Sequence, residues 1–228
     1  MSFANQEAGL SSLEFDKAKL IFDRSMRGND NQTLRQIMLG EDKNGNNRNN
    51  STAQLMGPLM EDGGVVFDYT PSITINYVTS YTPLEIVHGN YDYFAFQKAG
   101  IGEIYMTVPI TAETREKANR LLAIIHFLRT FTKMNFGIND DLQGLPPRLL
   151  RFFAYGDYMI NNVPVAIKNF SIVLGNEVDY VQTDFNTQVP LKMEFSISMH
   201  LMPTPSRIKR EFNLQEFASG KLIKKGYL

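Results

Sequence analysis

The stretch VPLKMEFSISMHL, residues 189–201, decides how the chain is read. Val189, Leu191, Met193, Phe195, Ile197, Met199 and Leu201 hold every second position, and Pro190, Lys192, Glu194, Ser196, Ser198 and His200 fill the places between. Strand side chains alternate between the two faces of a sheet, so one face here is wholly apolar and the other mostly polar. The pattern predicts a half-buried antiparallel strand. At about 3.3 Å per residue it would span roughly 43 Å, well beyond an ordinary strand, and a compact barrel rarely needs that reach.

Two more segments alternate in the same way. SITINYVTSY (72–81) sets Ile73, Ile75, Tyr77, Thr79 and Tyr81 against Ser72, Thr74, Asn76, Val78 and Ser80, between Pro71 and Pro83. EIYMTVPI (103–110) places Ile104, Met106, Val108 and Ile110 in register, and Pro109 argues that this strand is at an edge or ends there. Further on, LLRFFAY reads as a strand and YMINNVPVAI as two short strands around an Asn161–Asn162 turn. NFSIVL, Gly175–Asn176 and EVDYV suggest a hairpin or tight corner.

Between the strands the period changes. In residues 111–134 Thr111 suits an N-cap, Glu113 and Glu116 fall near the first turns, and Ala118, Leu121, Leu122, Ile125, Leu128 and Thr132 keep helical spacing. Arg129, Lys133 and then Gly137 form a plausible stop. The segment around Leu13, Lys17, Leu20, Ile21 and Arg24 fits a helix or an extended arm equally. GEDKNGNNRNN (40–50) is turn-forming and cannot build a core.

These patterns divide the chain into an N-terminal arm with an Asn-rich loop (1–60), a β domain with one helix (61–206) and a basic tail (207–228). The tail carries Arg207, Lys209, Arg210, Lys221, Lys224 and Lys225 against Glu211 and Glu216, a formal +4, which leaves −5 for the rest of a chain whose total is −1. Such opposition favours a tail lying on a neighbouring copy.

Composition bounds the chemistry. With 228 residues the chain can bury a sizeable core without staples. It has no cysteine, which excludes disulfides and thiolate chemistry and fits a reducing compartment. No apolar run reaches the length of a membrane span, and MSFANQEAGLSS lacks the features of a signal peptide, so a soluble protein not secreted by the usual route is expected. His88, His126 and His200 are scattered, without a nucleophile elbow or metal-ligand spacing, and GIGE (100–103) matches no phosphate-binding loop. Asp140 and Asp141 sit in a turn-rich loop. No catalytic, cofactor or metal site is expected. Basic residues 115, 117, 120, 129 and 133 on the helix, and Phe152, Phe153 and Tyr155, are the features that could hold nucleic acid, and a solvated or subunit-facing helix and sheet core are their plainer readings.

Taken together, YTPSITINYVTSYTPLEIVHGNYDYFAFQKAG (69–100), LLAIIHFLRTFTKMNFG (121–137), PPRLLRFFAYGDYMINNVPVAIKNFSIVL (146–174) and VDYV (178–181) resemble the tail-tube initiator, or tube-cap, proteins of T-even-like contractile phage baseplates. The resemblance spans about residues 60–205. It implies a mainly β fold of tail-tube type, an antiparallel sandwich or partial barrel with one flanking helix, in which six copies form a ring around a lumen. It further implies a structural, non-enzymatic virion protein of the tail baseplate. The expected partners are further copies in a hexamer, the hub protein below, a tail-tube subunit or second initiator above, and the sheath, with no membrane and no cofactor.

DNA would pass through the lumen without specific binding. Under this resemblance Ser72, Thr74, Asn76, Lys192, Glu194, Ser196 and Ser198 are candidate lumen-facing residues. Arg207, Lys209, Arg210, Lys221, Lys224 and Lys225 are candidates for contacts between subunits or rings. Small hydroxyl and amide groups would not hold phosphate, which needs lysine or arginine to displace counterions. A main tail-tube subunit, or a barrel-type single-stranded nucleic-acid-binding protein, are the alternatives.

Overall fold

The computed structural model describes residues 17–22, 55–60, 62–85, 87–134, 136, 144 and 146–228. Leu13, Arg24, the 40–50 loop, Gly137 and the Asp140–Asp141 pair lie outside them. The strands are β1 (Lys19–Phe22), β2 (Gly64–Val66), β3 (Ser72–Leu84), β4 (Tyr93–Thr111), β5 (Leu150–Ala154), β6 (Ile160–Val173), β7 (Tyr180–Gln182), β8 (Gln188–Pro190) and β9 (Lys192–Leu201). The helices are α1 (Arg115–Phe131), α2 (Pro205–Glu211) and α3 (Leu214–Ala218).

Seven strands form one sheet in the order β2-β1-β5-β6-β9-β4-β3, and β7 and β8 pair apart from it as a two-stranded ribbon. Every pairing is antiparallel. The fold is therefore mainly β and antiparallel, with one long helix on its flank. That helix, more than a second sheet, covers the core face.

The alternation in 192–201 holds: Met193, Phe195, Ile197 and Met199 are buried and Lys192, Glu194, Ser196 and His200 are exposed. The continuous thirteen-residue strand does not. The chain changes sheet at Leu191, whose N–H donates to the Asp179 carbonyl at 2.7 Å and whose carbonyl accepts from Ala112 at 2.8 Å. Val189 is buried in the ribbon while Leu191 turns outward. Two competing sets of backbone partners divide what alternation alone would leave whole.

The exceptional reach belongs to β4 instead. Its nineteen residues make an element of roughly 63 Å at ordinary strand rise. Ile104, Met106, Val108 and Ile110 lie in the core beneath α1, but from Tyr93 to Gly100 the strand and its partner β3 run past that core as a bare hairpin. Pro109 sits where β3 has already ended: β3 pairing starts at Ser72↔Thr107, so beyond this point β4 has, among the described strands, only β9 beside it. A missing N–H is tolerated at such a local edge.

Other boundaries moved for identifiable reasons. Thr114, not Thr111, caps α1, accepting from the Lys117 N–H at 3.3 Å, while Thr111 is still the last residue of β4. Residues 19–22 are extended and paired on both sides, by β2 and β5. Gly64 makes that packing possible, because a Cβ there would stand 2.3 Å from the Leu20 carbonyl oxygen. Residues 158–167 do not turn at Asn161–Asn162. The reversal falls earlier, at Tyr155 and Gly156 with positive φ, and Asn162 (φ 56°) occupies an irregularity in the β5–β6 register. Nor does 169–181 form a hairpin, since β7 pairs with β8 and β6 with β9.

One large core runs from Leu20 and Phe22 through Phe152, Val163 and Val165 to Phe195 and Ile104. α1 closes it with Leu121, Ile124, Ile125, Phe127, Leu128 and Phe131, and its outer side is in turn met by the turn at Gly57–Leu59 and by the ribbon. Burial on more than one side explains five consecutive buried residues, 121–125, in a surface-length helix. The largest side chains buried here each contribute on the order of 2–3 kcal/mol of transfer free energy.

The C-terminal segment is folded. α2, α3 and a 3-10 turn at Ile223–Lys225 bring Leu222, Gly226 and Tyr227 back onto the start of β6, where Val163, Pro164 and Val165 are all buried because both sheet faces are covered. Gly226 adopts φ +82°, and a Cβ would lie 2.2 Å from the Asn162 carbonyl oxygen. Only glycine meets both conditions at once.

Candidate functional site: an open sheet face and an overrunning hairpin

The sheet has a face that α1 does not cover. Cross-strand partners point to the same side of a sheet, so the register builds this face row by row. Ser72, Thr107, Ser196 and Ser171 make one row across β3, β4, β9 and β6, and Thr74, Tyr105, Ser198 and Asn169 make the next. All seven candidate lumen residues fall in or beside these rows. Ser72, Thr74, Asn76, Lys192, Glu194 and Ser196 are exposed and Ser198 is half-buried. Lys192 stands opposite Thr111 and Glu194 opposite Pro109.

Asn76 marks the end of the regular pattern. Between Ile75↔Ile104 and Tyr77↔Ile101 the strand β4 carries one residue more than β3, a bulge at Gly102–Glu103. A second bulge on β6 inserts Lys168 between Ile167↔Met199 and Asn169↔Ser198. The two bulges lie on the strands flanking β9 and aim Lys168 and Glu103 at each other, and they form an ion pair across it.

The Lys168 ammonium holds the Glu103 carboxyl below its usual range, helped by the Tyr105 hydroxyl. The same contact raises Lys168, and the carboxylate raises Tyr105. His200 adds a weaker field from β9. Lys168 is thus paired with Glu103, and Lys192 and Glu194 lie two residues apart on β9, on a surface otherwise mostly of hydroxyls and amides, so the formal charges of these four cancel.

The hairpin beyond the core is of another character. Tyr77, Val78, Tyr81, Leu84, Tyr93, Phe94 and Phe96 are all more than half exposed. Tyr81 and Phe96 meet edge to face with centroids 5.8 Å apart, but nothing else among the described residues buries them. An exposed apolar area of this extent marks an interaction surface.

The candidate contact residues of the tail differ in what they already do. Arg207 pairs with Glu211 at 2.9 Å, donates to the Lys225 carbonyl at 2.6 Å and lies over the Tyr227 ring, and its guanidinium lowers the Glu211 carboxyl. Lys224 reaches Asp157 at 3.2 Å and the Tyr158 ring. Arg207 braces the tail's own elements against one another, and Lys224 holds the tail to the domain. Lys209, Arg210, Lys221 and Lys225 remain exposed.

The features read for nucleic acid lead elsewhere. Phe152 is fully buried, and the Tyr155 hydroxyl donates to the Pro71 carbonyl. Arg115 pairs with Asp184, Lys117 with Glu113 and Arg120 with Asp62. His126 and Arg129 border a groove of about 640 Å³ between α1, β8 and Met193. Burial and then the Arg129 charge push the His126 imidazole below its ordinary value.

Sequence reading missed Glu103, Tyr105, Thr107, Lys168, Asn169 and Ser171, although the polar members of 103–107 and 169–171 alternate just as visibly as the apolar ones. The hairpin aromatics of 91–96 carried no comparable signal. Among the described residues no helix is long and apolar enough to cross a membrane. No family model and no curated protein matches the chain.

Proposed function

We propose that the chain is a structural subunit of a phage tail baseplate, assembling into a ring, six copies by the resemblance, that initiates the tail tube on the central hub and lines its channel. The observation that carries this reading is the open, charge-balanced sheet face. Four strands present Ser72, Thr107, Ser196 and Ser171 in one row, with Lys168 paired to Glu103 and Lys192 two residues from Glu194 on the same strand. A wall past which DNA must slide needs that chemistry, because phosphate affinity grows with each unpaired cation.

The hairpin supports it from another side. Apolar surface left bare by the chain's own core is satisfied when a second subunit covers it, and a contact between two different patches propagates until rotation closes it into a ring. Residence in the virion baseplate, with hub, tube and sheath as neighbours, follows from the same reading.

Negative-stain microscopy of the purified protein, alone and with a baseplate hub preparation, tests the proposal. Closed rings with a central pore are the expected result, and monodisperse monomers in both samples would remove it. Long tubes formed without the hub would point to a main tube subunit.

A further inference from the structure

Two exposed surfaces of one chain have opposite character and sit at different places on the sheet. The first is the free end of the β3–β4 hairpin. Tyr91 is 83% exposed and Phe94 63%, and the only charged side chains between residues 77 and 97 are Glu85 and Asp92. The second is the folded C-terminal segment, where Leu214 is 71% and Phe212 46% exposed and Lys209, Arg210 and Lys221 face solvent. Residues 205–228 carry six basic side chains against two glutamates, a formal +4.

The hairpin belongs to the β3 edge of the sheet, and the C-terminal segment covers β6 on the side toward β5. Each surface therefore pairs aromatic or aliphatic area with one sign of charge, and the two signs are opposite. The match is between different patches, so one chain can use both at once, giving to one neighbour and receiving from another.

We infer that the hairpin end of one copy docks on the α2–α3 surface of the next, with Tyr91 and Phe94 against Phe212 and Leu214 and with Glu85 and Asp92 facing Lys209 and Arg210. This rests on the ring reading and specifies its interface. Apolar contact supplies the binding, and the charges steer approach and set which patch meets which. It also explains why the tail is braced internally by Arg207 and tied to the domain by Lys224: a docking platform has to be held in place before a partner arrives.

Charge exchange tests the inference under the conditions in which the wild-type chain gives rings. One variant carries Glu85→Lys with Asp92→Lys, and a second carries Lys209→Glu with Arg210→Glu. All four positions are exposed, and unchanged thermal unfolding of each variant verifies its fold. Each alone is expected to need at least about tenfold more protein to assemble, since like charges then face each other. Mixed in equal amounts they should assemble again, because every hairpin then meets a tail of opposite sign.

The absence of cysteine allows a direct check by Asp92→Cys with Arg210→Cys, which should form a disulfide between chains upon oxidation in the assembled state. Rings from both charge variants at the wild-type concentration, or a mixture that stays unassembled, would overturn this interface and leave the ring reading standing. A wild-type chain that never assembles, with or without hub, or whose Lys209 and Arg210 bind an oligonucleotide instead, would overturn both.

Discussion

Strand β3 keeps one alternating set of side chains on the same face from the core out along the hairpin, yet the two halves of the hairpin have different fates. Near Ile73, Ile75, Ile104 and Met106 the apolar positions pack into the core. Beyond the Gly102 bulge, Tyr77 and Tyr81 continue the same face of β3, and both are more than half exposed, with little among the described residues to cover them. The same face of β3 thus stabilises the monomer in one half and, in the proposed ring, its neighbours in the other. Burial is conferred by what the rest of the chain places opposite a strand.

Substitutions that separate the two halves sharpen this contrast. The largest effect is expected for Phe195→Ala in the covered half, about 3–5 kcal/mol of unfolding free energy from lost transfer and the cavity left behind, read by denaturant titration. Gly226→Ala follows at about 2 kcal/mol, from left-handed strain and the clash with Asn162. It should also release the C-terminal segment to limited proteolysis. In the bare half, Tyr81→Ala removes only the contact with Phe96, about 1 kcal/mol in the monomer. Assembly, followed by sedimentation, should suffer far more than stability does. A large stability loss there would show that the hairpin is part of the core after all.

Two smaller effects complete the series. His126 titrates below its ordinary value of 6.5 when folded, so the unfolded chain binds the proton first as pH falls. Stability present above pH 6.5 should therefore decline as the solution is acidified toward the folded value. His126→Gln should flatten that slope in denaturant midpoints measured from neutral pH downward. On the open face, Ser196→Ala should change stability by no more than about 0.5 kcal/mol, since the residue is exposed and its hydroxyl anchors no core element.

Much of this was legible beforehand, and the failures have a common cause. Faces were read correctly wherever a strand kept regular partners: Met193, Phe195, Ile197 and Met199 inward, Lys192, Glu194 and Ser196 outward. The helix was found from its period, though its cap was placed one turn early because Thr111 and Thr114 are chemically alike. Errors gathered where backbone pairing changes hands. Leu191 continues the alternation yet leaves the strand for the ribbon, and Asn161–Asn162 has turn chemistry yet sits inside β6. Neither can be told from composition, since a bulge and a turn draw on the same residues. The Glu103–Lys168 pair was invisible for the same reason, being separated by 65 positions and joined only by two bulges on either side of β9.

Residue order settled the β class, the inward and outward sets of each strand and the position of the long helix, because these follow from backbone geometry within a few residues. Tertiary packing alone decided where the sheet outruns its cover, which bulges bring opposite charges together and how the basic tail lies against β6. Those outcomes depend on partners far apart in the chain, and the same short pattern has a different energy with a different neighbour.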